Sequence, residues 1–171
     1  TAACTSTGVP YCTFINNTGI SKVEGVELQG TYDAGFVFAG LSYSHNHTTL
    51  PSQMDGLGMN SYLPGDLATI TAGLRFFDQR LTLGARSYIT SKSQRGDVNT
   101  GPGDPLFYDG YTTFDLFSSY ALTNDVNVAL TVSNLTDVAY SPALSSPPTG
   151  SNVPDDTGRG RTFLLTTKAK F

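Results

Sequence analysis

His45 and His47 are the only histidines, and they stand two residues apart. On an extended chain that spacing puts both imidazoles on one face. Two adjacent imidazoles suit a metal ion or a haem iron. The competing reading makes them interfacial residues above Tyr43 that continue an apolar face, and the surrounding pattern favours it. Further side chains suited to ligand contact fall in three long, Gly- and Pro-rich stretches: Met54, Met59 and Tyr62, then Phe107 and Tyr108, then Tyr140. Catalytic patterns are missing. There is no Gly-x-Ser-x-Gly elbow, His-Glu-x-x-His, P-loop or dinucleotide fingerprint. Cys4 and Cys12 have no activating neighbour in sequence, and Asp155 and Asp156 are adjacent, so an extended chain points them apart. The stretch from Asp97 to Gly101 lacks the closing Glu of a calcium loop. The expectation is a protein that is not an enzyme, with no cofactor and no metal.

The elements that would hold these groups are strands. Amphipathic helical runs are absent, while apolar residues recur with period two. Val26, Leu28, Gly30 and Tyr32 alternate with Glu27, Gln29, Thr31 and Asp33. Ile70, Ala72, Leu74 and Phe76 alternate with Thr69, Thr71, Gly73 and Arg75. Phe163, Leu165, Thr167, Ala169 and Phe171 alternate with Thr162, Leu164, Thr166, Lys168 and Lys170. The pattern runs through seven segments, roughly 19–33, 36–47, 67–77, 81–92, 111–121, 126–136 and 159–171. Successive side chains of a strand point to opposite faces. Each segment therefore has one apolar face and one polar, small or charged face, and the expected fold is all-β.

The connections sort by length. Those at 33–35, 77–80 and 122–125 are short; those at 48–66, 93–110 and 137–158 are long and rich in Gly, Pro, Ser and Asp. Short and long alternate, so an antiparallel meander gathers all short turns at one end. Transmembrane barrels have that geometry, whereas a soluble sandwich, the competing architecture, has no reason for it. Tyr32, Phe36, Phe76, Phe77, Tyr120 and Phe171 fall at the short-turn end, and Tyr43, Tyr111 and Tyr140 toward the long-loop end. Two aromatic girdles at lipid interfaces are spaced this way. Lys plus Arg is 10 and Asp plus Glu is 14, a net charge of −4 that argues against a nucleic-acid partner. No run approaches the ~18 apolar residues of a membrane helix, and the opening residues are not expected to form a signal peptide.

The last strand ends at Phe171 on the short-turn side, so counting back places residues 1–18 on the long-loop side. Cys4 and Cys12 lie there, where a disulfide suits an oxidising exterior; two free thiols are the alternative. Seven strands do not close a bacterial barrel, and an open sheet would leave raw edges in hydrocarbon. The chain is therefore expected to be the C-terminal part of a larger barrel, one unit over 1–171, with 1–18 external and 19–171 strand-forming. The inward set is Glu27, Gln29, Arg75, Arg86, Asp115, Asn127, Lys168 and Lys170. Their mixed signs suit pairing across a wet lumen, at about 0–1 kcal/mol per exposed pair.

Four runs carry a resemblance. KVEGVEL at 22–28, YTTFDLFSSY at 111–120, VSNLTDVAY at 132–140 and GRTF at 160–163, leading to Phe171, resemble the C-terminal end of TonB-dependent outer-membrane receptors. The resemblance covers roughly residues 15–171. It implies a barrel of about 22 strands filled by an N-terminal plug that this chain lacks. It also implies a bacterial outer-membrane location with the C-terminus periplasmic and the long loops extracellular. The implied partners are the missing plug and strands, the TonB complex, outer-membrane lipid and an iron-bearing ligand. That ligand is haem or a siderophore, the NLTD run and last strand being most similar to the haem and haemophore branch. The haem-ligating loop motifs of that branch lie upstream in the family and are not in this chain. Two rival readings are an autonomous surface β protein, adhesin-like or structural, and a barrel enzyme whose catalytic part is elsewhere.

Overall fold

The computed structural model describes residues 22–48, 60–61, 64–96, 107–142 and 157–170, and no helix occurs among them. Ten strands do. In chain order they are β1 (Val23–Asp33), β2 (Val37–Thr48), β3 (Asn60–Ser61), β4 (Asp66–Phe76), β5 (Leu81–Thr90), β6 (Ser93–Gly96), β7 (Phe107–Tyr108), β8 (Tyr111–Ala121), β9 (Val126–Ser133) and β10 (Thr162–Ala169). Seven form one sheet in the order β1-β2-β4-β5-β8-β9-β10. Every neighbour is antiparallel and next along the meander. These are the seven segments that the alternation marks out.

The remaining three strands form a small sheet, β3-β6-β7, inside stretches read from sequence as loops. The reason is continuity. β6 follows β5 after a two-residue break, and β7 leads into β8, so the two strands stay paired beyond the main sheet. Gly110 sits at that break. A Cβ on it would lie 2.6 Å from the Thr90 carbonyl oxygen, so only a glycine allows the backbones to approach there.

The alternation of exposure is inside out. Along β4, Ala72, Leu74 and Phe76 are exposed while Thr71, Gly73 and Arg75 are half-buried. Along β8, Phe114, Leu116 and Tyr120 are exposed while Thr113 is buried and Asp115 and Phe117 are half-buried. On the edge strand β10, Phe163 and Leu165 are each 68% exposed. Among the described residues the largest fully buried side chain is Pro64, so the sheet has no apolar core of its own. Burying one large apolar side chain contributes about 1.5–3 kcal/mol. A water-soluble sheet would forfeit that at nearly every apolar position here. The arrangement is stable only where the solvent on that side is itself apolar, as acyl chains are. Among the described residues nothing pairs with the outer edges of β1 and β10.

One row across the polar face explains its shape. Phe38, Gly73, Gly84 and Phe117 are successive cross-strand partners over β2, β4, β5 and β8. The two rings lean inward over the paired glycines, and their centroids come within 6.4 Å. A Cβ on either glycine would lie 2.3 Å from a ring carbon. Strands are ~4.8 Å apart, so β2 and β8 would stand ~14 Å apart in a flat sheet. The bare glycine plate lets the rings close that distance. Arg75 covers Phe38 at 4.5 Å and Arg86 covers Phe117 at 5.9 Å, both cation–aromatic contacts.

The short turns are closed by their own side chains. Asp33 Oδ1 accepts from the Gly35 N–H at 2.9 Å, with Gly35 left-handed at φ +81°. Thr123 Oγ1 accepts from the N–H groups of Asp125 and Val126. Phe77, Asp78 and Gln79 are all left-handed, and Arg80 donates to the carbonyls of Ala121 and Leu122 on the next turn. Three successive non-glycine residues in that region cost roughly 1 kcal/mol or more each, so the turn is held by what surrounds it.

Candidate functional site

The polar face carries two side-chain assemblies, one at each end of the strands. At the short-turn end Arg75 makes a fork with Asp33, Nη1 to Oδ1 at 2.8 Å and Nη2 to Oδ2 at 2.9 Å. Nη1 also donates to the Gly35 carbonyl at 3.0 Å. The fork ties the β1–β2 hairpin to β4, with the aspartate side chain 56% exposed.

At the long-loop end the node is Asn134, which follows β9 and is 4% exposed. Its backbone is left-handed at φ +50°, a conformation asparagine tolerates better than most residues. Its Nδ2 donates to the carbonyls of Val138 at 2.9 Å and Arg159 at 3.1 Å, and its Oδ1 accepts from the Val138 N–H at 3.0 Å. Its own N–H is taken by Asp115 Oδ1 at 2.9 Å. Asp137, also left-handed, accepts from the Arg161 N–H at 2.7 Å. Gly158 N–H donates to the Tyr140 carbonyl at 2.8 Å. The run from Asn134 to Asp137 is thus a side-chain knot that holds the chain entering β10.

Beside the knot lies a cavity of about 530 Å³, lined among others by Tyr88, Tyr111, Thr113, Asp115, Tyr140 and Arg159. That volume falls in the range of small-molecule sites. Tyr111 and Tyr140 are stacked, with centroids 4.2 Å apart and planes at 28°. Tyr140 lies flat against Gly158, where a Cβ would sit 2.1 Å from the ring. Burial above all, then Tyr111 and Asp115, holds the Tyr140 phenol above its ordinary value, so it is protonated at neutral pH. The Tyr88 hydroxyl accepts from Arg86 Nη1 at 2.9 Å. No group of three or more metal-ligating side chains occurs among the described residues.

The residues singled out from sequence divide as follows. The register places Glu27, Gln29, Arg75, Arg86, Asp115, Asn127 and Lys168 on one face of the sheet. Lys170 lies just beyond β10, its N–H donating to the Asp125 carbonyl. Arg75 pairs with Asp33 on that face. Arg86 and Asp115 are cross-strand partners, yet Arg86 turns to Thr71 and Tyr88 and Asp115 to Asn134.

Of the ligand candidates, Tyr140 lines the cavity. His45 is on the opposite face, its Nδ1 2.9 Å from Asp66 Oδ1, an oxygen that also accepts from the Tyr43 hydroxyl at 2.7 Å. His47 is exposed on that same face, across from Glu24. The histidine pair is therefore not brought to the cavity. Met54, Met59 and Tyr62, the side chains of Phe107 and Tyr108, and Cys4 and Cys12 lie outside the described residues. Sequence reasoning did not single out Tyr88, Tyr111, Asn134 or Arg159 as site residues. The signal for Asn134 was an Asn-x-x-Asp run directly after a strand, which is a turn signature. The stacking partners, Tyr111 on β8 and Tyr140 in the segment after β9, lie far apart in sequence and leave no local trace.

Residues 1–135 match the family described as TonB dependent receptor-like, beta-barrel. A probable TonB-dependent receptor of Haemophilus influenzae is 36% identical over 102 residues, 48% of this chain and 11% of that protein. TonB-dependent heme receptor A of H. influenzae is 28% identical over 160 residues, 85% of this chain and 20% of that protein. Among solved structures, the FrpB iron transporter of Neisseria meningitidis (F3-3 variant) aligns with a TM-score of 0.68 at 23% identity, covering 88% of this chain and 24% of that one. The ferric-catecholate import receptor Fiu of E. coli K12 aligns with a TM-score of 0.67, also at 23% identity, covering 87% and 21%. The chain thus spans about a fifth or less of the curated relatives it matches. With its seven-stranded meander, inverted alternation and family match over residues 1–135, the chain belongs to the TonB-dependent receptor-like β-barrel family, a family of bacterial outer-membrane receptors.

Proposed function

We propose that the chain is the C-terminal wall of a TonB-dependent receptor that takes up an iron-bearing ligand, haem or a siderophore, across the outer membrane. The observation that carries this reading is the inverted alternation: large apolar side chains exposed on one face, charged and polar ones sheltered on the other. Such a sheet needs lipid on one side and a polar filling on the other. Its open edges need further strands, which suits a chain spanning about a fifth of its relatives. The polar face, with Glu27, Gln29, Arg75, Arg86, Asp115, Lys168 and Lys170, lines the lumen against a plug domain. The short turns and C-terminus are periplasmic, and the long loops and residues 1–18 extracellular. Iron as cargo is supported by the relatives, of which one is named a heme receptor and others an iron transporter and a ferric-catecholate import receptor.

Deleting the gene for the receptor that carries this chain tests the reading. With haem or a ferric siderophore as sole iron source, growth at limiting concentration is expected to be lost for one of them and restored by the intact gene. The same loss is expected when TonB is removed. Unchanged growth and unchanged iron accumulation on every source would contradict it.

A further inference from the structure

We propose that His45 and His47 form a two-imidazole site for a divalent transition-metal ion of the Cu²⁺, Ni²⁺ or Zn²⁺ class, at the long-loop end of the apolar face. The site lies on the other side of the sheet from the polar cavity and does not depend on the cargo reading. The register puts both rings on one face of β2, His45 opposite Val26 and His47 opposite Glu24. They stand just past Tyr43, where polar side chains take over that face. Residues two apart on a strand have Cα atoms about 6.7 Å apart. One ion bridges two imidazoles over that span through metal–nitrogen bonds of ~2.0–2.1 Å.

The state of the His45 ring turns a surface pair into a site. Its Nδ1 lies 2.9 Å from Asp66 Oδ1, an oxygen that also accepts from the Tyr43 hydroxyl at 2.7 Å. A carboxylate only accepts, so in the neutral ring Nδ1 carries the proton and Nε2 keeps its lone pair. Asp66 is itself held in place. Its N–H donates to Ser91 Oγ at 2.9 Å, and its carbonyl accepts from the Ser91 N–H at 2.9 Å. A carboxylate behind an imidazole in this way sets the tautomer and raises the basicity of a metal-ligating nitrogen. The His45 side chain is 52% exposed, and His47 is exposed with no hydrogen-bond partner among the described residues. Asp66 and Glu24, across from the two histidines, add negative charge that favours a cation. No larger ligand set of His, Cys, Asp or Glu forms among the described residues, so the other positions on the ion fall to water. Imidazole ligands favour Cu²⁺ over Ni²⁺ and Zn²⁺, whereas Ca²⁺ and Mg²⁺ seek oxygen.

The test uses the full receptor that carries this chain, purified in detergent, with Cu²⁺ alone as the probe. Titration calorimetry gives affinity and stoichiometry, and electron paramagnetic resonance counts the nitrogens on the ion. The parent is expected to hold an ion with a two-nitrogen signature that excess Ca²⁺ does not displace. His47→Ala is expected to weaken that ion about tenfold or more and to leave a one-nitrogen signature. The variant with both histidines changed to alanine is expected to lose it. Asp66 is a positioning residue. Asp66→Asn is expected to weaken binding about tenfold while the two-nitrogen signature stays, because an amide oxygen still orients the ring but lends it less basicity. Tyr43→Phe removes the other contact of Asp66 Oδ1 and is expected to change the affinity by less than about twofold. His47 makes no hydrogen bond among the described residues, so its variant keeps the test decisive if Asp66→Asn fails to fold. A double variant that binds as many ions as the parent with equal affinity, or parent copper without two nitrogens, would overturn the site. Displacement by Ca²⁺ would also overturn it, by assigning the ion to carboxylates.

Discussion

The two faces of the sheet are built under different rules. On the apolar face Leu74, Leu83, Leu116 and Leu130 are all exposed at about the same level, 42–44%. Acyl chains solvate any such side chain, so this face asks for apolarity and little else. The polar face asks for identity. Phe38 needs a glycine at 73 and Phe117 a glycine at 84; Arg75 needs both oxygens of Asp33; Asn134 needs its amide at one point beside Val138 and Arg159. In a soluble domain the jigsaw lies on the apolar side and the tolerant surface on the polar side. Here the assignment is exchanged, with the demanding contacts on the polar face.

Substitutions on the two faces sharpen that contrast, measured as urea-induced unfolding from lipid vesicles. The largest effect is expected at Asn134. Asn134→Ala removes three side-chain hydrogen bonds in a buried place and puts alanine in a left-handed conformation, for a loss of about 4 kcal/mol or more. A loss below about 1 kcal/mol would mean that the knot is incidental. Next comes Leu116→Lys on the apolar face, expected to cost about 2–4 kcal/mol if that face meets hydrocarbon near the bilayer midplane. Thr131→Lys, one strand away on the polar face, is expected to cost under about 1 kcal/mol because its charge reaches water. Equal costs for the two would erase the distinction between the faces. The smallest effect is expected for Arg75→Ala. Its fork is well formed but its partner is largely exposed, so the unfolding midpoint should stay closest to the parent's.

Much of this was legible in the sequence, and the reason is geometric. A strand has a period of two, so the faces of β4, β8 and β10 could be assigned residue by residue from local order alone. Turn lengths then gathered the short connections at one end of the meander and the long ones at the other. What stayed hidden depends on partners far apart in the chain. Nothing near Phe38 announces that its ring meets Phe117, because that contact needs the register of four strands. The Asn134 knot was visible as a motif, but its bond to Arg159 spans 25 residues. His45 was weighed for ligand chemistry, whereas its nearest polar partner is Asp66, brought opposite it by the β2–β4 pairing. The small β3-β6-β7 sheet was missed because Gly- and Pro-rich composition masks two strands that simply continue their hairpin.

The central claim is that one face of this sheet meets acyl chains and the other a wet interior. Spin labels at Leu74→Cys, Leu83→Cys, Arg75→Cys and Arg86→Cys, in the receptor reconstituted into bilayers, address it directly. Their collision rates with oxygen, which concentrates in lipid, and with a water-soluble nickel chelate separate the two surroundings. Labels at 74 and 83 are expected to favour oxygen, and labels at 75 and 86 the chelate. Oxygen preference at 75 and 86, or chelate access at all four positions, would contradict the account.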